Sequence, residues 1–225
     1  MIHRIVLLSL LVSAGVLVSG ASYAQLNLSQ FGIGGSNASA NGDTAASSGA
    51  ASQLLQNYVG ANQQVLSGQS SLASAMGLGG AAGQAQQAAG LLNGMPSLSQ
   101  LTQVGSTQQS LSQTLTQAFA DRSAAGSSAP VNKQAFSDGL ASLGKGVSQY
   151  SSLQSGLGSV GQMNPSSLLQ SGLNPQTAQT ASYIAQSAPG QLQSLMSTLS
   201  QAVQFASSHG ISVPSIASSA LKGGL

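Results

Sequence analysis

The side chains in this sequence that could do acid–base, nucleophilic or ion-pair chemistry are few enough to weigh one at a time. Asp121, Arg122, Lys133, Asp138 and Lys145 all fall within "ADRSAAGSSAPVNKQAFSDGLASLGKG", residues 120–146. Past residue 24, the only other charges are Asp43 and Lys222, and the only histidine is His209. Catalysis by a carboxylate or a nucleophile needs a base held beside the group it activates. No histidine lies in this half of the chain, so the cluster lacks that base. Its expected role is a solvated turn between two helices, with a partner-contact surface as the sharper alternative.

His209 would need a Ser and an Asp beside it to form a triad. Serines occur throughout the chain, so their presence selects nothing. The sequence "HG" at 209–210 reads as a helix end, with Gly210 as the left-handed cap and His209 near the negative pole. Three Asp and one His spread along the chain do not have metal-ligand spacing. The sequence therefore predicts no catalytic, cofactor-binding or metal-binding residues, no cofactor, and no enzyme.

Two glycine-rich stretches imitate nucleotide motifs. "GLASLGKG", Gly139–Gly146, has the spacing of a phosphate loop but ends in Gly146 where a Ser or Thr would hold magnesium. Its Leu140 and Leu143 also lie on a helical stripe, and no strand precedes it. "GLGGAAG", Gly77–Gly83, resembles a dinucleotide fingerprint and again follows no strand. Both read as low-complexity coincidence.

The elements that would carry these residues are helices. Ala51, Leu55, Tyr58, Asn62, Val65, Gln69, Leu72 and Met76 recur at alternating spacings of four and three, a helix face with two polar members. Asp43-Thr44 is a candidate start for it. A short Ala-rich helix follows, closed by Gly94 and Pro96. Ser97 caps a third helix carrying Leu98, Leu101, Leu111, Leu115 and Phe119. The cleanest stripe is the fourth: Phe136, Leu140, Leu143, Val147, Tyr150 and Leu157, with Gln154 in a polar slot. Asn164-Pro165 and Asn174-Pro175 read as helix starts with Asn as cap and Pro in the first turn. The first opens a short helix through Leu168 and Leu169, the second another through Tyr183 and Ile184. Pro189 is expected to open a separate helix through Leu192, Leu195, Met196, Leu199, Val203 and Ala206. "VPSIASSALKGGL" is a last short helix or tail.

Alternating β-branched runs are absent, so the predicted fold class is all-α: an antiparallel bundle of four to six amphipathic helices. Glycine opposes this. Gly139, Gly144, Gly146, Gly156 and Gly158 load the fourth helix, at about 1 kcal/mol each against alanine in a helix interior. Such a helix persists only if packing holds it, and small residues permit close packing.

Composition sets the surroundings. The start "MIHRIVLLSLLVSAGVLVSGASYAQ" has a short basic end, an apolar run and small residues at Ser22 and Ala24, the layout of a secretory signal over 1–24. The apolar run falls short of the ~20 residues of a membrane span. Residues 25–50 read as a flexible segment and 51–225 as the helical domain. Beyond residue 24, Arg122, Lys133, Lys145 and Lys222 stand against three Asp, a net of +1, and Glu, Trp and Cys do not occur. Nucleic acid binding needs several phosphate contacts, which four scattered cations cannot supply. Leu, Ile, Val and Phe are 41 of those 201 residues, near the ~20% at which a packed core becomes lean.

The composition beyond residue 24, of which "QQVLSGQSSLASAMGLGGAAGQAQQAAGLL" at 63–92 is an example, resembles that of the harpins. These are secreted bacterial proteins rich in Gly, Ser and Gln, poor in aromatics and without Cys. No motif is shared, and a leader departs from the harpin export route, so the resemblance implies no activity. The function expected from the residues is an exported, non-enzymatic structural or interaction role, in the periplasm or at or outside the cell surface. Its partner would be another copy of itself or another surface or periplasmic protein. The alternative is a membrane-active or hydrophobic-ligand-carrying protein. The thin apolar stripes suit it; the scarcity of Lys and Arg on the polar faces opposes binding to anionic membranes.

Overall fold

In a computed structural model of the 225-residue chain, the described residues are 43–124, 131–160 and 175–223. All lie in one compact unit, 37–225. The expected signal at 1–24, the segment 25–42, the short helix at Leu168 and Leu169, and the side chain of Leu157 lie outside them. Six helices are described: α1 (Asp43–Ala75), α2 (Gly79–Gly90), α3 (Leu98–Ala124), α4 (Lys133–Val160), α5 (Pro175–Ser208) and α6 (Ser215–Gly223). No strand occurs among the described residues. The helical bundle is thus the fold. Helix α1 begins at Asp43 and takes in residues 43–50 of the range read as flexible.

Local chemistry accounts for the helix ends. Ser97 heads α3 in a capping box: its Oγ accepts from the Gln100 amide at 3.3 Å, and Gln100 Oε1 accepts from the Ser97 amide at 2.7 Å. Asn132 caps α4, its Oδ1 accepting from the Ala135 amide at 3.0 Å. Helix α1 ends in a Schellman motif at Gly77, φ +74°. There the Leu78 amide reaches Ala73 O and the Gly77 amide reaches Ser74 O. Gly210, φ +61°, takes the same place after α5, with the Ile211 amide on Ala206 O.

One expectation fails. Pro189 does not open a helix; it sits inside α5, which runs unbroken through it. Proline removes one helical hydrogen bond and crowds the preceding turn. Here Pro189 and Gly190 are exposed and lie off the packed face. The buried stripe Ile184, Ala188, Leu192, Leu195 and Leu199 continues across them. Packing of that continuous face outweighs the local penalty.

The glycines solve the packing problem they pose. A methyl group added to Gly68 would stand 2.5 Å from Leu143 N, and one on Gly139 2.9 Å from Leu72 N. On Gly146 it would meet Val65 Cγ2 at 2.5 Å. Helices α1 and α4 therefore run antiparallel with their backbones nearly touching. Gly144 likewise receives α6, with Ala217 Cα at 2.8 Å from the added atom. Over this seam lie Tyr58, Leu66, Leu72, Leu140, Leu143, Val147 and Tyr150, all buried.

Candidate functional site

The contacts between helices fix which ends meet. Gln69 of α1 reaches Gln108 and Ser112 of α3, and Phe119 of α3 packs against Phe205 of α5. These pairings run parallel, whereas α4 runs opposite to all three. The carboxyl ends of α1, α3 and α5 therefore converge on the amino end of α4, where Asp121, Arg122 and Lys133 lie; Asp138 and Lys145 follow along α4.

Two of the cluster's cations serve helix ends. The Arg122 guanidinium donates to Met76 O, the last carbonyl of α1's cap, and Lys133 Nζ donates to Gly210 O at 3.2 Å, past the end of α5. Met76 O is a carbonyl that a helix end leaves without a partner, and both cations lie near the negative pole of a macrodipole. Asp138 accepts from Gln134 at 3.0 Å; Asp121 and Lys145 are exposed. Asp121, exposed at the end of α3, fits the solvated-turn reading; Asp138 and Lys145 are exposed on the body of α4, and half-buried Arg122 ties α3 to α1. Replacing Arg122 with Met is expected to lower stability by about 1.5 kcal/mol. Asp121→Asn, next to it but exposed, should change stability by under ~0.5 kcal/mol. Urea denaturation of both variants checks the pair.

His209 ends α5. Its Nδ1 lies 2.9 Å from Phe205 O and 3.0 Å from Ser208 Oγ, and its ring stacks on Phe205 at 3.9 Å. A carbonyl only accepts, so Nδ1 carries the proton. Among the described residues no group of three or more His, Asp, Glu or Cys gathers where a metal could bind. "GLASLGKG" is mid-helix in α4, and "GLGGAAG" is the α1 cap followed by the start of α2.

A second polar site lies inside the bundle. The Tyr58 and Tyr150 hydroxyls both donate to Gln191 Oε1, each at 2.9 Å, with the two rings edge to face at 5.6 Å. Asn62 Nδ2 donates to Tyr58 O at 2.7 Å, and Asn62 Oδ1 accepts from Gln108 Nε2 at 2.7 Å. Gln69 Nε2 then reaches Gln108 O at 3.2 Å and Ser112 Oγ at 3.0 Å. Asn62 and Gln69, the two polar members of the first stripe, are fully buried. They are core residues that pair across helices. Gln108 and Gln191 were not singled out in the sequence. Gln108 carries a signal, a polar residue in the apolar slot between Val104 and Leu111; Gln191 carries none, because Leu192 fills the slot between Ala188 and Leu195.

Burial pushes the Tyr58 phenol above its usual 10.0, and a nearby Tyr183 adds to the shift. Burial pushes Tyr150 well above the same value, with Tyr58 adding. Both phenols keep their protons in the folded chain at a pH where the unfolded chain begins to lose them. Their stabilisation is fully present below about pH 10 and is lost as pH climbs through the raised values. The loss reaches up to ~2.7 kcal/mol per pH unit while both groups lie in that window. Alkaline denaturation titrations should show this slope in the native chain and a much shallower one in Tyr58→Phe/Tyr150→Phe. Equal slopes would contradict it.

On the outside, α2 and α3 enclose an open groove of about 490 Å³ lined by Gln84, Gln87, Ala88, Leu91, Gln103, Ser106, Thr107 and Ser110. No spacing within one segment marks it, because it depends on how two glutamine-bearing faces meet. It holds amides and hydroxyls and no charge. Among the described residues no helix is long and apolar enough to cross a membrane. No family model matches the chain, and no curated protein or solved structure matches it.

Proposed function

We propose that this is an exported, non-enzymatic helical protein with a structural or interaction role in the periplasm or at or outside the cell surface, and that it self-associates. The observation that carries the reading is how its reactive side chains are spent. Arg122 and Lys133 hold helix ends, His209 closes α5, Tyr58 and Tyr150 bond to Gln191, and the side-chain nitrogens of Asn62, Gln69 and Gln108 bond inside, with Gln69 Oε1 and Gln108 Oε1 buried without a partner among the described residues. What remains outside is chiefly neutral amide and hydroxyl. Such a surface raises no long-range repulsion between copies, and primary amides both donate and accept. The leader-like start supports export.

The test is the concentration dependence of mass in solution, measured at low and high salt, with cell fractionation beside it. The expected result is association that salt changes little, and recovery of the chain outside the cytoplasm. A monomer at all concentrations would remove self-association. Retention in the cytoplasm would remove export.

A further inference from the structure

The described residues include four asparagines: Asn57, Asn62, Asn93 and Asn132. An asparagine side chain is the electrophile of one spontaneous reaction, attack on its amide carbon by the backbone nitrogen of the next residue. That reaction needs an attacking amide free to lose its proton. It also needs a small next residue and a backbone that can bring the two atoms together. Three of the four asparagines lack these conditions. Asn57 and Asn62 lie inside α1, where the helix fixes the following amide, and Asn62 is buried with its Nδ2 on Tyr58 O. Asn132 is held by the cap bond to the Ala135 amide and is followed by Lys133.

Asn93 meets all of them. It is exposed in the turn between α2 and α3, and its side chain bonds to no described residue. Gly94 follows it, with no Cβ to obstruct the approach, and the Gly94 amide bonds to no described residue. A Cβ added to Gly94 would meet nothing within 4 Å, so the space around the reacting atoms is open. The turn is pinned on both sides by buried Leu92 and Pro96. Between these anchors Asn93, Gly94 and Met95 stand in solvent.

We propose that Asn93–Gly94 is a self-modification site, at which the folded chain converts Asn93 to aspartate and isoaspartate without an enzyme. The Gly94 nitrogen gives up its proton and attacks Asn93 Cγ. The Cγ–Nδ2 bond breaks, and the nitrogen leaves as ammonia with a proton returned by water. A five-membered imide remains. Water then cleaves one of its two bonds to the Gly94 nitrogen. Cleavage at Cγ gives aspartate; cleavage at the Asn93 carbonyl carbon gives isoaspartate, with the main chain running through Cγ. Ammonia leaves, water enters, and nothing is oxidised or reduced. Either product puts a carboxylate on a turn that has none and lowers the net charge beyond residue 24 from +1 to zero. The inference stands apart from the self-associating reading.

Incubation of the full chain in mildly alkaline buffer, with and without urea, tests it. Chymotryptic peptides are then read by mass spectrometry with fragmentation that separates aspartate from isoaspartate. In the folded chain Asn93 is expected to convert at least about tenfold faster than Asn57, Asn62 or Asn132, because only it can reach attack geometry. Its rate should rise in proportion to hydroxide. Asn93→Gln should abolish conversion at this position, since glutamine must close a six-membered ring. Asn41, also followed by glycine and outside the described residues, falls in a different peptide and is counted apart. Conversion of Asn93 in urea but not in the folded chain would overturn the proposal. Conversion no faster than at Asn132 would overturn it as well.

Discussion

Gly68→Ala is expected to lower the stability of the bundle by about 3 kcal/mol, although alanine is the better helix former. The added methyl would stand 2.5 Å from Leu143 N, 2.8 Å from Leu143 Cβ and 2.9 Å from Gly139 O. Two of these atoms are backbone, so no rotamer change relieves the clash; α1 and α4 must move apart. Separation then weakens contacts along the whole seam, from Leu72 on Gly139 to Val65 on Gly146. Gly60 lies two turns earlier on α1 with nothing within 4 Å of the same added atom. Gly60→Ala should therefore stabilise the chain by about 0.5–1 kcal/mol. Urea denaturation of the two variants reads opposite signs from one chemical change on one helix. A neutral or stabilising Gly68→Ala would mean that the two backbones do not touch.

Gln191→Leu is the second large effect, expected to cost about 2–4 kcal/mol. Its Oε1 is the acceptor for both Tyr58 and Tyr150. Leucine would take away the acceptor the two hydroxyls share, leaving them only each other, Ser187 and Asn62 as side-chain partners, and a hydroxyl less well bonded retains its desolvation penalty. Removing the donors as well should recover most of the loss, because an apolar cluster of similar shape leaves nothing unpaired. The triple variant Tyr58→Phe/Tyr150→Phe/Gln191→Leu is thus expected to be more stable than Gln191→Leu alone. Chemical denaturation of the single and triple variants gives the comparison. A triple variant no better than the single one would show that packing, and not the poorly bonded hydroxyls, sets the cost.

Much of this architecture was legible locally. The fourth stripe names the buried face of α4 from Phe136 to Tyr150, because apolar side chains three and four apart share one side of a helix. Ser97 and Pro175 mark helix starts by chemistry that acts within one turn. What could not be read depends on residues far apart. Arg122 meets Met76, 46 positions away, and Lys133 meets Gly210, 77 away. No spacing rule in a single stretch links such pairs. The same holds for Gln191, whose partners come from α1 and α4, and for the groove formed by α2 and α3. Pro189 misled for the opposite reason: its local meaning is strong, and a continuous buried face overrides it. The glycines of α4 gave a conflict in the sequence whose resolution lay in α1, at Gly68 and Val65.

The fold requires that closely nested helices with lean apolar seams hold together in water. Far-ultraviolet circular dichroism of the purified chain, followed through a thermal melt in dilute buffer, tests this most directly. A helical spectrum lost in one cooperative step, with a midpoint that salt scarcely moves, is the expected result. A disordered spectrum at low temperature, or a gradual loss without a transition, would contradict it.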